Sequence, residues 1–311
     1  ARLPQLRSGV RGGLAASPKF LPARYLQDAR SQELAARIAA LPEYYLCSAE
    51  VSIMAERAEQ IAAIAGSQTL VQLGSQLAPS TCLLVDALTC AGTLRELVLF
   101  DLDSAVLAAA CASWAAEFPV LSITPLAGDL EADLSGISLG DRTLVVMPES
   151  TVGTLDPLAR WHFLRRLRAV LRPGDLFLLT ADLVREPARL RRAHDDEGGL
   201  SAQLNRNVLT VLNRRLRADF ETEAFRYEAA WLPDQELLEM RLRARTDQVV
   251  TIAGADLTVH FAAGEPLRTG IAAKFRAGLL TAELASAGLR LQRLWTDPRR
   301  DYCLALSQPA G

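Results

Sequence analysis

Thr69-Leu-Val-Gln-Leu73 is a short apolar strand pattern that runs directly into Gly74-Ser75, and the next strand pattern, Leu97-Val-Leu-Phe100, ends in Asp101. A glycine after the first strand lets the backbone turn tightly beneath a ligand, and an acid closing the second can accept hydrogen bonds from ribose hydroxyls. This is the layout of a nucleotide-binding α/β unit and points to an adenosine-bearing cofactor. The loop Gly74-Ser-Gln-Leu-Ala-Pro-Ser-Thr81 lacks the further glycines of G-x-G-x-x-G, so the pattern also fits a plain βα unit.

Working outward, strand and helix patterns alternate from Leu70 to Ala181, with helices at Thr81–Leu88, Ser104–Glu117 and Pro157–Leu171 and strands at Leu121–Pro125, Thr143–Met147 and Leu176–Thr180. Continuous apolar strands with intervening helices imply a parallel sheet covered on both faces. Helical patterns at Ser31–Leu41 and Ala49–Ala65 precede this region, after a lead-in, residues 1–19, whose Gly, Pro and Ser content predicts irregular structure. Beyond it lie helices at Pro187–His194 and Ser201–Leu216, β-rich runs at Phe225–Trp231, Leu237–Arg245 and Val249–Phe261, and a helix at Ala272–Ala287. Two last strands, Leu289–Trp295 and Tyr302–Leu306, form a closing hairpin. A seven-stranded sheet ending in an antiparallel strand is the S-adenosylmethionine-dependent methyltransferase arrangement, which favours that cofactor over a nicotinamide by fold analogy.

The chain has 311 residues, half of them hydrophobic, with a net charge of −2. That suffices for two units with a substantial core and gives no electrostatic drive toward nucleic acid. The Arg-rich stretches around Arg165, Arg191 and Arg215 fall at helical spacing and read as solvated faces. No apolar run approaches the roughly 18 to 20 residues a membrane span requires. Ala1-Arg-Leu-Pro lacks an apolar stretch of signal-peptide type, so the expectation is a cytoplasmic protein without membrane or nucleic-acid partners, a monomer or weak homo-oligomer. Five cysteines without a C-x-x-C pair read as reduced, buried thiols, and three histidines at no ligand spacing predict no metal site.

From Leu21 to Pro309 the chain resembles the histidine Nα-methyltransferase family of ergothioneine biosynthesis. The resemblance rests on Leu41-Pro-Glu-Tyr-Tyr45, Leu73-Gly-Ser75, Gly128-Asp129, Ser150-Thr-Val-Gly153 with Pro157, and Ala181-Asp-Leu-Val184. It continues through Asp195-Asp196 with Gly199, Asn205, Leu212-Asn213, Glu239-Met240, Ala263-Gly-Glu265, Lys274 and Trp295-Thr-Asp297. It implies an α/β protein: a Rossmann-like methyltransferase domain of residues 45–182 and 272–311, with a smaller α+β substrate domain of residues 20–44 and 183–271. The implied setting is amino-acid modification in secondary metabolism, with S-adenosylmethionine as cofactor and a small-molecule amine or amino acid as substrate.

The family pattern assigns the cofactor to Gly74, Ser75, Ser80, Thr81, Asp101, Asp129 and Leu130, with Gly74 under the methionine part, Asp101 at the ribose and Asp129 at the adenine amine. Both acids could equally cap the turns after their strands. Here Gln76 stands where the family has a second glycine, and Ser80 where it has a lysine. The pocket that holds histidine in the family departs further. Its positions carry Gln27, Glu149, Thr154, His194, Gly270 and Ala272, while Tyr45 and Met240 keep the family residue and Asn205 lies within a matched motif. Gly270 and Ala272 replace a Glu and a Ser that hold the imidazole, which disfavours histidine as substrate. Tyr45 is expected to anchor a substrate carboxylate or to pack at a helix end. Glu149 and His194 are the candidate catalytic groups that orient an amine or take its proton; Glu149 also suits a loop carboxylate and His194 a surface partner of Asp195-Asp196. The expected function is N-methylation of a small amino acid or related amine other than histidine. The alternatives are an enzyme that cyclises or transfers the aminocarboxypropyl chain of S-adenosylmethionine, and a non-catalytic paralogue acting as a binding partner.

Overall fold

The backbone N–H of Gly74 donates to the carbonyl oxygen of Phe100 at 2.8 Å, joining the ends of two parallel strands just where the sequence pattern turns from strand to loop. The computed structural model describes residues 3–132, 134, 136, 137, 140 and 142–311. The chain divides into two units, residues 1–45 with 185–273, and residues 46–184 with 274–311.

Helix α1 (Leu3–Ala15), strand β1 (Lys19–Phe20) and helix α2 (Ala29–Ala39) open the first unit, and α3 (Tyr45–Ala65) carries the chain into the second. There follow β2 (Thr69–Leu73), α4 (Pro79–Cys90), β3 (Glu96–Asp101), α5 (Ser104–Glu117), β4 (Ser122–Ala127), β5 (Thr143–Met147), α6 (Pro157–Val170) and β6 (Leu176–Asp182). The chain then returns to the first unit as α7 (Pro187–His194), α8 (Leu200–Leu216), β7 (Phe225–Leu232), β8 (Leu237–Ala244), β9 (Gln248–Ile252), β10 (Leu257–Phe261) and β11 (Pro266–Ala273). Helix α9 (Ala277–Ser286) and strands β12 (Leu289–Thr296) and β13 (Tyr302–Pro309) complete the second.

The seven-stranded sheet has the order β12-β13-β6-β5-β2-β3-β4, with β13 antiparallel to both neighbours and the five strands β6-β5-β2-β3-β4 parallel. Every residue of β2, β5 and β6 is buried, as expected of strands with both faces covered. Helix starts follow local chemistry. Asp156 accepts from the amides of Leu158 and Ala159 ahead of Pro157, and Asp103 from that of Ala105. Asp175 accepts from the amides of Arg172 and Thr143, both at 2.8 Å, fixing the turn that feeds β6 beside β5. In the first unit β1-β11-β8-β7 form one sheet and β9-β10 a hairpin. Leu34 and Ile38 of α2 pack there with Leu200, Leu204 and Tyr44.

Three sequence expectations are corrected. Residues 3–15, read as irregular, form α1, whose buried Leu6, Val10, Gly13 and Leu14 follow a helical stripe. Gly13 is there for packing: a Cβ on it would stand 2.2 Å from the carbonyl oxygen of Phe20. The segment Ala272–Ala287, read as one helix, is split. Ala272 and Ala273 pair with Leu238 and Leu237 as the end of β11, a strand absent from the sequence reading, and the helix starts at Ala277. Cross-strand pairing overrides the alanine-rich helix propensity. Of the cysteines, all free, Cys303 is buried, but Cys47, Cys82 and Cys111 are only partly so, and Cys90, the last residue of α4, is exposed. No helix among the described residues is long and apolar enough to cross a membrane.

Candidate active site

Because β2, β3, β4 and β5 run parallel, Gly74, Asp101, Gly128-Asp129 and Glu149 all emerge at one edge of the sheet. The strand order reverses at β2, flanked by β3 on one side and β5 on the other, and in open α/β sheets the crevice at such a reversal is where ligands bind. Gly74 adopts φ +109°, and a Cβ built on it meets nothing within 4 Å, so bare backbone faces open space. The loop keeps its shape without a second glycine because buried Gln72 splints it: its Nε2 donates to the carbonyl oxygens of Gly74 and Gln76, both at 2.8 Å. Ser75 donates through its hydroxyl at 2.6 Å and its amide at 3.2 Å to Asp101 Oδ2, while Asp101 Oδ1 accepts from the amide of Leu102 at 2.6 Å.

Gly128 is required by close packing, since a Cβ there would stand 2.3 Å from the Phe100 ring. Asp129 is buried and its Oδ1 accepts from the amide of Glu131; Leu130 beside it is half-buried. Thr81 on α4 is fully buried, and its Oγ1 has no hydrogen-bond partner among the described residues. Two carboxylates closing neighbouring strands, an open glycine backbone and an orphaned hydroxyl suit a ligand that carries adjacent hydroxyls and an amine.

Glu149 and Ser150 follow β5 in the left-handed region, at φ 59° and 53°, a costly conformation for residues with a Cβ. Their amides are held. Glu149 N–H donates to Glu50 Oε2 at 2.9 Å and Ser150 N–H to Thr180 Oγ1 at 2.9 Å, while Ser150 Oγ accepts from the amide of Asp182 at 3.0 Å. Glu149 keeps a solvent-exposed surface, yet it is screened from bulk water on most sides. That desolvation, and then the nearby Glu50 carboxyl, push its carboxyl up to about 7. Thr154 lies exposed at the end of the short turn Thr151–Thr154, its hydroxyl donating to the Thr151 carbonyl at 2.8 Å. Ser80, an expected cofactor contact, is buried and donates to Glu50 Oε1 at 2.6 Å.

The remaining candidates belong to the other unit. Tyr45 is buried, with the Arg189 guanidinium 4.5 Å from its ring centroid. The half-buried His194, last residue of α7, sets its ring edge-on to Tyr44 at 6.1 Å, and its carbonyl oxygen accepts from the Tyr227 hydroxyl at 2.6 Å. Asp196 caps α8 through the amides of Leu200 and Ser201, a structural use of the Asp-Asp pair. Asn205, Met240 and Gly270 are brought together. Thr269 Oγ1 donates to Asn205 Oδ1 at 2.6 Å and lies 3.1 Å from the Met240 carbonyl oxygen, and Met240 and Gly270 are register partners of β8 and β11. Ala272, opposite Leu238, points to the same face of β11 as Gly270. Gln27 stands apart, exposed, donating to the Ala23 carbonyl at 3.3 Å.

Sequence reading missed Gln72, Glu50, Thr180 and Tyr302. For Glu50 a signal existed. It sits four residues from both Leu46 and Met54 and three from Ile53, all buried, so a carboxylate occupies the apolar stripe of α3.

The profile of the family described as histidine-specific methyltransferase, SAM-dependent, matches residues 6–309. The histidine N-alpha-methyltransferase of Mycolicibacterium smegmatis is 47% identical over 302 residues, spanning 97% of this chain and 94% of that protein. The protein of the same name from Mycobacterium tuberculosis is 45% identical over 302 residues, with the same coverage of 97% and 94%. The N-methyltransferase imqF of Aspergillus flavus is 23% identical over 313 residues, spanning 96% of this chain and 84% of that protein.

Proposed function

The chain belongs to the histidine-specific, S-adenosylmethionine-dependent methyltransferase family, and from that premise we propose that it methylates the amine of a small amino acid or related amine other than histidine. S-adenosylmethionine, when bound, supplies the electrophilic methyl group. The residues that fit it are Gly74, whose open backbone permits close approach, Asp101 with Ser75 for the ribose hydroxyls, Asp129 with Leu130 for the adenine, and Thr81, whose buried hydroxyl needs a partner. Ser80 stands one step back, its hydroxyl engaged by Glu50.

The observation that carries the reading is Glu149: a solvent-reachable carboxyl at the carboxyl edge of the sheet, next to the strand reversal, pushed up to about 7. An amine must lose its proton before its lone pair can attack carbon, and a base near 7 matches that task better than an ordinary carboxylate near 4. In this reading Glu149, ionised, takes the proton from the acceptor ammonium and later returns it to solvent. His194, with its ring against Tyr44, is the weaker candidate for the same role. Tyr45 offers a hydroxyl for a substrate carboxylate, and the Arg189 guanidinium on its ring adds positive charge there. The rest of the chain's contribution is alignment and exclusion of water.

Histidine is the competing acceptor, since both mycobacterial relatives carry it in their names. Against it stand Gly270 and Ala272, which present no carboxyl or hydroxyl at the positions where the family resemblance puts a Glu and a Ser. A site that leaves a buried imidazole N–H unpaired discriminates against it by orders of magnitude. The test is to incubate the protein with S-adenosylmethionine and each amino acid in turn, reading S-adenosylhomocysteine and methylated product by mass. The expected result is turnover with one or a few acceptors and little with histidine; histidine as the best acceptor would overturn the reading.

A further inference from the structure

Glu50 is 2% exposed, yet four neutral donors, from three elements and the turn after β5 of one unit, converge on it. Oε1 accepts from Ser80 Oγ on α4 at 2.6 Å. Oε2 accepts from Tyr302 OH on β13 at 2.5 Å, from Thr180 Oγ1 on β6 at 3.1 Å, and from the Glu149 amide at 2.9 Å. A buried carboxyl is expensive, and a hydrophobic residue between Leu46 and Met54 would serve the core better. Its position explains the expense. Ser80 opens the helix behind the Gly74 loop, on one side of the strand reversal, and Glu149-Ser150 follow β5 on the other. We propose that Glu50 is the positioning residue of this active site: its carboxyl ties α4 to the strained turn at Glu149-Ser150 and so sets both where Glu149 stands and what charge it meets there.

The strain at the turn makes the tie necessary. Two consecutive left-handed residues that carry a Cβ are strained and persist only where the surroundings hold them. Here the Glu149 amide is held by Glu50, and the Ser150 amide by Thr180, whose hydroxyl Glu50 and Tyr302 share. Charge adds the second part. The Glu50 carboxyl is the group that adds to desolvation in raising Glu149. The other titratable groups facing the pair are Cys47, one turn back on α3, raised by burial and by both carboxyls, and Tyr302, raised well above its usual range by burial and by Glu50. Asp182 faces Tyr302 and is paired with Lys274 at 2.5 Å.

The inference rests on Glu149 taking the proton, so the experiment separates the two. The pH dependence of kcat and KM is measured, per folded molecule, for the wild type, Glu149→Gln, Glu50→Gln and Glu50→Asp, with the acceptor that turns over best. The wild type should lose kcat below a midpoint near 7. Burial pushes the Glu50 carboxyl itself up, while its hydrogen bonds from Ser80, Tyr302, Glu149 and Thr180 pull it back toward the ionised form. Glu50→Gln takes away the like carboxyl that raises Glu149, so the midpoint should fall. Its kcat should drop about tenfold through the loosened turn. Glu50→Asp, which keeps the charge but withdraws the carboxyl, should lower kcat with the midpoint in place. An acidic limb that survives in Glu149→Gln defeats the proton-acceptor reading. A limb abolished in Glu149→Gln but unmoved in Glu50→Gln defeats the role of Glu50 alone. Should Glu50→Gln not fold, Glu50→Asp decides, and wild-type kcat in that variant overturns the proposal.

Discussion

Ser75 and Asp101 are joined twice, the Ser75 hydroxyl at 2.6 Å and its amide at 3.2 Å from the same carboxylate oxygen, so the loop after β2 is fastened to the end of β3. Asp101 therefore has two tasks, shaping the Gly74 backbone and offering a carboxylate to a ligand. Asp101→Ala should weaken S-adenosylhomocysteine binding by about 1.5–3 kcal/mol, the range for losing hydrogen bonds to a charged group. Calorimetric titration checks this, and unchanged affinity would remove Asp101 from the cofactor site. Ser75→Ala, which leaves the carboxylate in place, should lose less.

Glu149 is also a statement about stability. Its carboxyl is raised from 4.5 to about 7, so within that window the folded chain holds a proton that the unfolded chain releases. The stability this contributes is fully present below 4.5 and is lost as pH rises through about 7. Glu149→Gln cannot ionise and escapes the loss. Its melting temperature should exceed that of the wild type at pH 8 by more than it does at pH 5; an equal difference at both pH values would sink the assignment.

Lys274 and Asp182 meet at 2.5 Å with side chains 1% and 0% exposed. This pair joins the end of β6 to the segment that enters α9. Removing one partner of a buried ion pair costs about 3–5 kcal/mol, because the other charge stays desolvated. Lys274→Met should therefore unfold at markedly lower denaturant, and the double variant Lys274→Met with Asp182→Leu should recover part of the loss. Chemical denaturation of the wild type and the two variants measures both effects.

What the sequence disclosed and what it concealed follow from the range of the interactions involved. Strands β2 and β5 were legible because Thr69–Leu73 and Thr143–Met147 are short, mostly apolar runs, and Gly74 and Asp101 because each closes such a run. Strand β11 was not. Ile271-Ala-Ala has helix-compatible composition, and only its pairing with Glu239, Leu238 and Leu237 makes it a strand. The Glu50 cluster was hidden for the same reason, since Ser80, Thr180 and Tyr302 lie far apart in the chain and meet only after the sheet has formed. The strain at Glu149-Ser150 is likewise invisible in Pro148-Glu-Ser-Thr151, which contains no glycine to mark a left-handed turn.

The acceptor reading yields the last prediction. A Cβ placed on Gly270 would lie 3.1 Å from the Met240 methyl, the far end of a flexible side chain, and nothing else is within 4 Å, so the strand accepts a larger residue once Met240 changes rotamer. Ala272, two residues on and facing the same way, has Leu238 opposite. Gly270→Glu with Ala272→Ser restores a carboxylate and a hydroxyl on that face. If these positions set the acceptor, the double variant should gain kcat/KM for histidine while losing it for the native acceptor. The gain should exceed about tenfold, since pairing a buried polar group recovers more than 1.4 kcal/mol. Gly270→Glu alone should give part of the gain, and Met240→Ala should change acceptor preference without creating a taste for imidazole. Steady-state kinetics with both acceptors decide it: a double variant that folds, binds S-adenosylhomocysteine and still ignores histidine would place the selectivity elsewhere.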